Sequence, residues 1–239
     1  MQLKRIVVFL MVLSLVSVSV FAGEVVDEGE KLVDEGEVVA VVGEQEITSE
    51  QLESHVNTQQ LVMQLAQNNQ TFAQLLSSTE EGEALLNKYR EVKLDELIEE
   101  TILKIEAENR GITVSEDEKN QRFNEYIQQI KEQNNMTEEQ ILETLSQQGI
   151  KSLEEYKEMF IANSNLRVNK LLEKEVFSEI TVSEQEVEEF YNDNQDQIDQ
   201  PYSEIKEELK ENVRQQKQQE ALSEFIDNAK DNLEIEKYI

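Results

Sequence analysis

Apolar residues recur along most of the chain at three- and four-residue spacing, the period of a helix that buries one face. The clearest stripe is Leu94, Leu97, Ile98, Ile102 and Ile105. Glu100 stands four residues before Lys104, the favourable order for a helical ion pair. The stripe stops at Arg110-Gly111, and a glycine there suits a left-handed C-cap. Ile112, Thr113 and Val114 are β-branched and predict a short extended link. Ser115 with Glu118 then predicts a capping box that opens the next helix. A central helix is expected over residues 81–110, or from a later start, because Gly82 is unfavourable inside a helix. The stripe is too long to stay in water and too narrow to be buried all round, so the rest of the chain should wrap it.

The same patterns segment the remainder. Val38–Val42 is a short apolar run, VVAVV, followed by Gly43-Glu44 and a second short strand at Gln45–Ile47. Thr48 with Gln51 caps a first helix, and that helix and the next extend to about Ser77. A helix over 115–133 carries Phe123, Tyr126, Ile127 and Ile130 on one face and is broken by Asn134-Asn135. Thr137 with Gln140 caps a short helix ending at Gly149, and Ser152 with Glu155 caps a long one reaching about Phe177. The long helix should turn Leu153, Tyr156, Phe160, Leu171 and Leu172 inward. Ser183 with Glu186 opens a last small helix, Gln200-Pro201 marks a boundary, and 202–230 reads as a long terminal helix. The ITVSE at Ile112 returns at Ile180, with ITSE at Ile47, as repeated cap chemistry rather than a solenoid repeat. Leu233 and Ile235 alternate with charges, as in a strand. A hairpin as short as 38–47 needs a further partner, and 233–237 is the other clear strand. The fold class is therefore mainly α, a multi-helix module with a small β-sheet joining N- and C-terminal strands, the long terminal helix lying on the central one.

Charge changes the picture most. The 239 residues carry a formal net charge of −30, which disfavours nucleic acid or an anionic membrane surface as partner. There is no cysteine, so disulfides, thiolate metal sites and a cysteine nucleophile are excluded. Lys4 and Arg5, an apolar run over 6–20 and Val20-Phe21-Ala22 form a secretory signal-peptide pattern over 1–22, which implies export to a periplasmic or extracellular space and no stable membrane insertion after cleavage. Residues 23–37, with VVDEGE echoed by LVDEGE, read as an acidic flexible linker, and 38–239 as the folded domain, in two parts, 38–197 and 201–239.

Candidate chemistry is thin. There is no Gly-rich phosphate loop, no GxSxG and no HExxH. The single histidine, His55, lacks a nucleophile or second imidazole to work with. Glu99-Glu100, Glu138-Glu139 and Glu188-Glu189 read as solvated helix faces, without a calcium loop. No cofactor, metal or catalytic residue is expected. The region 49–77 differs from the rest in being rich in Gln and Asn, with Met63, Leu65, Phe72, Leu75 and Leu76 among few charges. These residues suit either a helix-hairpin core or an adaptable apolar contact surface.

Four segments, in their order, carry a family resemblance. They are VVAVVGEQEIT (38–48), LIEETILKIEAENRGITVSEDE (97–118), EITVSEQEVEEFYNDNQDQ (179–197) and PYSEIKEELKENVRQQKQQEALSEFIDNAKDNLEIE (201–236). The chain thus resembles the N-terminal chaperone region of the SurA and PrsA group of extracytoplasmic foldases, related in shape to the C-terminal part of trigger factor. The resemblance implies that the first and last strands meet. In the enzymatic relatives a parvulin-type prolyl isomerase domain lies between the last two segments, whereas only Ile198, Asp199 and Gln200 stand there in this chain. The expected function is an ATP-independent holdase-type chaperone, not an enzyme, binding unfolded exported polypeptides through Met63, Leu65, Phe72, Leu75 and Leu76. The alternative is a structural or assembly subunit with one dedicated partner. A homo-oligomer is compatible with either.

Overall fold

The computed structural model describes residues 36–239, which form one unit. The expected signal peptide, 1–22, and residues 23–35 of the expected linker lie outside the described residues. Strand β1 (Val38–Val42) turns through Gly43, at φ +61°, into β2 (Gln45–Thr48). Four helices follow: α1 (Ser49–Val56), α2 (Thr58–Asn68), α3 (Gln70–Ser78) and α4 (Glu80–Asn109). Then come α5 (Glu116–Asn134), α6 (Glu138–Gln147), α7 (Leu153–Asn163), α8 (Leu166–Leu171), α9 (Glu184–Asp193) and α10 (Tyr202–Lys230), and the chain closes on β3 (Ile235–Lys237).

The two ends meet as the strand patterns predict. β3 lies antiparallel on β1, with Ala40 opposite Lys237, Val41 opposite Glu236 and Val42 opposite Ile235, giving the order β2-β1-β3. Gly43 N–H donates to the Glu234 carbonyl at 2.8 Å, and Tyr238 N–H to that of Val39 at 2.9 Å. The β1–β2 register slips between Val38 and Ala40, a bulge that lets Val39 and Ala40, though consecutive, both be buried.

The sheet's inner residues Val39, Ala40, Val42 and Ile47 pack with Leu52 and Val56 of α1 and with Leu94, Ile98 and Ile102 of α4. Leu97 and Ile105 flank this core half-buried, so the whole predicted stripe is used. Burying each large aliphatic side chain contributes about 1.5–3 kcal/mol. Leu103 and Ala107 show that α4 buries a second face, against Val168, Leu171 and the C-terminal half of α10. Lys230 Nζ on α10 reaches Glu99 on α4 at 2.8 Å. The end of α4 is a Schellman turn: Gly111, at φ +63°, donates to Glu108 O and Ile112 to Ala107 O, both at 2.9 Å.

Helices α5–α7 have their own core of Phe123, Ile127, Ile141, Leu145 and Ile150. Phe123 meets Tyr156 edge-on at 6.0 Å, and Tyr126 stacks on Phe160 at 4.9 Å. The Tyr126 and Tyr156 hydroxyls are 3.0 Å apart; burial, and then this hydrogen bond, raises the Tyr156 pKa.

One sequence expectation fails here. The helix predicted from Ser152 to Phe177 stops at Asn163, crosses Ser164 in extended conformation, restarts as α8 and continues as a π-turn at Leu172–Val176. Phe160 belongs to the α5–α7 core, but Leu171 is fully buried against Ala107 and Ile112. The helix breaks at Ser164, and its two halves serve different cores.

The two ITVSE segments end in matching clasps. Lys170 Nζ donates to Thr113 O at 2.7 Å and meets Glu118 at 2.5 Å; Lys217 Nζ donates to Thr181 O at 2.7 Å and meets Glu186 at 2.5 Å. Each glutamate also accepts from the N-cap serine, Ser115 or Ser183. The lysine first, then the serine, lowers each carboxyl from 4.5 to about 2. One clasp ties α5 to α8, and the other ties α9 to α10.

Candidate functional site

The least charged part of the sequence becomes a two-helix arm, α2 and α3 packed on each other at the N-terminal end of α4. No Asp, Glu, Lys or Arg occurs between Glu53 and Glu80. Single residues make the joints. Asn57, at φ +46°, closes α1 and caps α2, its side chain accepting from Gln60 N–H. Asn69 closes α2, and its side chain accepts from Phe72 N–H at 3.0 Å. The Thr79 hydroxyl donates to Leu75 O at 2.7 Å and accepts from Gly82 N–H at 3.0 Å, so one group finishes α3 and starts α4. The sequence reading placed two helices where three occur. Asparagine's tolerance of the left-handed region and its capping side chain were the available signals.

Gly82 explains why α4 starts early rather than late. A Cβ on this buried residue would lie 2.4 Å from both Leu75 O and Leu76 O. The glycine admits the carbonyls at the end of α3, and this close approach outweighs its poor helix propensity of about 1 kcal/mol.

The arm leaves much of its apolar surface in water. Among the described residues, large exposed apolar side chains include Met63 (56%), Phe72 (44%), Leu75 (53%), Leu85 (53%) and Val92 (46%), and the others are Tyr238 and Ile239 at the opposite end of the sequence. Met63, Phe72 and Leu75 are thus exposed and Leu65 is half-buried. Leu76 is different: at 5% exposure it is buried, as Ala73 is on the same helix, so its expected place on an open surface is corrected. Leu85 and Val92, seven residues apart on one face of α4, extend the exposed set, and the sequence reading missed them. Their spacing was visible, but what leaves them uncovered is that, among the described residues, no partner helix lies over them.

Charged candidates take structural roles. His55 Nε2 on α1 lies 3.6 Å from Glu96 on α4. Glu100 pairs with Lys104 at 2.8 Å and accepts from Asn165 at 2.9 Å; Glu138 pairs with Lys131 at 2.8 Å. Among the described residues no group of three His, Asp or Glu side chains converges as a metal site, and no helix is long and apolar enough to cross a membrane.

Comparison with known proteins agrees with this architecture. The chain is 29% identical over 160 residues to the foldase protein PrsA of two Clostridium kluyveri strains, covering 65% of this chain and 45% of each relative. It therefore spans less than half the length of the curated relatives it matches. Residues 2–171, from the N-terminus through α8, match the SurA-like N-terminal domain model, and the chain belongs to that family.

Proposed function

We propose that residues 38–239 act as an ATP-independent holdase-type chaperone domain that binds unfolded or unassembled exported polypeptides outside the cytoplasm, without prolyl isomerase activity. One observation carries this reading: an uncharged helical arm exposes Met63, Phe72 and Leu75, with Leu85 and Val92 on the adjoining helix, in a chain of net charge −30. Concentrated exposed apolar side chains favour contact with other polypeptides, and a flexible methionine adapts to varied partners. The high charge elsewhere keeps a loaded complex dissolved. The foldase name of the relatives points the same way. Against isomerase activity stands the α9–α10 connection, where a 3-10 turn at Gln195–Gln197 is followed by α10 at Tyr202, leaving no room for an inserted domain.

The test is light scattering from a chemically unfolded model protein diluted into the purified chain. Stoichiometric protein should slow aggregation, and M63S/F72S/L75S should lose most of that effect while keeping its fold. Unchanged scattering with the unaltered protein overturns the reading. Turnover of a proline peptide above background overturns its non-enzymatic part.

A further inference from the structure

The surroundings of the exposed arm narrow the kind of segment it would take. Glu80, Glu81 and Glu83 occupy the first turn of α4, just beyond the end of α3 and between Leu75 and Leu85 in sequence. All three are exposed, and among the described residues none of them forms an ion pair. The nearby cations are already engaged: Lys88 with Glu91 at 2.6 Å, Lys93 with Glu96 at 2.6 Å, and Arg90 with Glu53. The turn that joins the arm to α4 therefore carries uncompensated negative charge, with no free cation along this stretch to attract an acidic partner.

Resting on the reading of the arm as a client surface, we infer that it selects unfolded segments whose apolar residues are flanked by lysine or arginine, and discriminates against acidic flanks. An apolar segment gains from covering Phe72, Leu75 and Leu85. A cationic flank then reaches the α4 carboxylates, and an acidic flank meets repulsion there. The discrimination is electrostatic and at the surface, so it weakens as salt shortens the screening length.

Three fluorescent peptides with one common apolar sequence and flanks of lysine, serine or glutamate test this against the full chain by anisotropy. At low salt the lysine-flanked peptide should bind about tenfold tighter than the serine-flanked one, and the glutamate-flanked one more weakly than either. Raised salt should shrink the spread. E80Q/E81Q/E83Q should abolish most of the discrimination, bringing the lysine- and glutamate-flanked affinities toward that of the serine-flanked peptide. The matched control E132Q/E139Q/E143Q, on α5 and α6, should preserve the discrimination. Equal binding of the three peptides overturns the selectivity and leaves the chaperone reading standing, whereas binding of none overturns that reading itself. Discrimination that survives in E80Q/E81Q/E83Q, or that falls equally in the control, overturns the assignment to the α4 rim.

Discussion

Two excursions from α4, the α2–α3 arm and the α5–α7 trio, are both built of short capped helices, yet they dispose of their apolar residues in opposite ways. The trio has three helices and closes Phe123, Tyr126, Tyr156 and Phe160 on one another. The arm has two helices, buries only Ala73 and Leu76, and leaves Met63, Phe72 and Leu75 in water. Polarity follows the same division. The trio's outer faces are charged, with pairs such as Lys119–Glu116 and Lys157–Glu154, while the arm has no charged side chain. Two short helices cannot cover each other fully, whereas a third helix supplies the missing wall. An apolar stripe is thus core or surface according to how many helices surround it.

Truncation should separate the two regions most sharply. Phe123→Ala should cost about 3–5 kcal/mol in urea unfolding, as a buried aromatic does. Phe72→Ala should change stability by no more than about 0.5 kcal/mol, as a surface residue does. A Phe72→Ala loss comparable with that of Phe123→Ala would show that the arm is core.

Gly82→Ala probes how the arm is seated. Alanine would gain about 1 kcal/mol in helix propensity, but its Cβ would meet two backbone carbonyls at 2.4 Å. Overpacking costs about 1–3 kcal/mol, so net destabilisation is expected, accompanied by loss of hydrogen-exchange protection at Leu75 and Leu76. A stabilised variant would mean that α3 yields freely.

Acid should act on the clasps and spare the arm. Glu118 and Glu186 have folded pKa values depressed from 4.5 to about 2. Their contribution is therefore present in full above pH 4.5 and is lost as pH falls toward 2. The urea midpoint of the unaltered protein should fall across that window, and E118Q/E186Q should start lower at neutral pH and fall less steeply. Identical pH profiles would remove the clasps from the stability of the fold.

The smallest effect should come from Leu85→Ser. It should leave the unfolding midpoint within about 0.5 kcal/mol of the parent, while weakening capture of an aggregating client less than the M63S/F72S/L75S variant does. Aggregation suppression measured beside unfolding separates the two quantities.

What the sequence settled alone is what neighbouring residues decide. The capping boxes at Thr48, Ser115, Thr137 and Ser183 all form, and Ser152 caps α7 through Glu155 N–H, although the Glu155 carboxylate reaches back to Lys151 instead. A cap needs only three or four residues, so it can be read locally. The pairing of the first strand with the last was also legible, expected at 233–237 and formed at 235–237, because two short apolar strands at opposite ends had few other partners. Tertiary structure alone decided the rest. Gly82 lies inside a helix because the end of α3 presses on it, and the long helix breaks at Ser164 because Phe160 and Leu171 serve different cores. Leu76 is buried and Leu75 exposed, although they are adjacent and nearly alike, because neighbouring helices pack on one side of α3 and, among the described residues, none covers the other. Periodicity states that a face is apolar; only the arrangement of distant elements determines whether anything covers it.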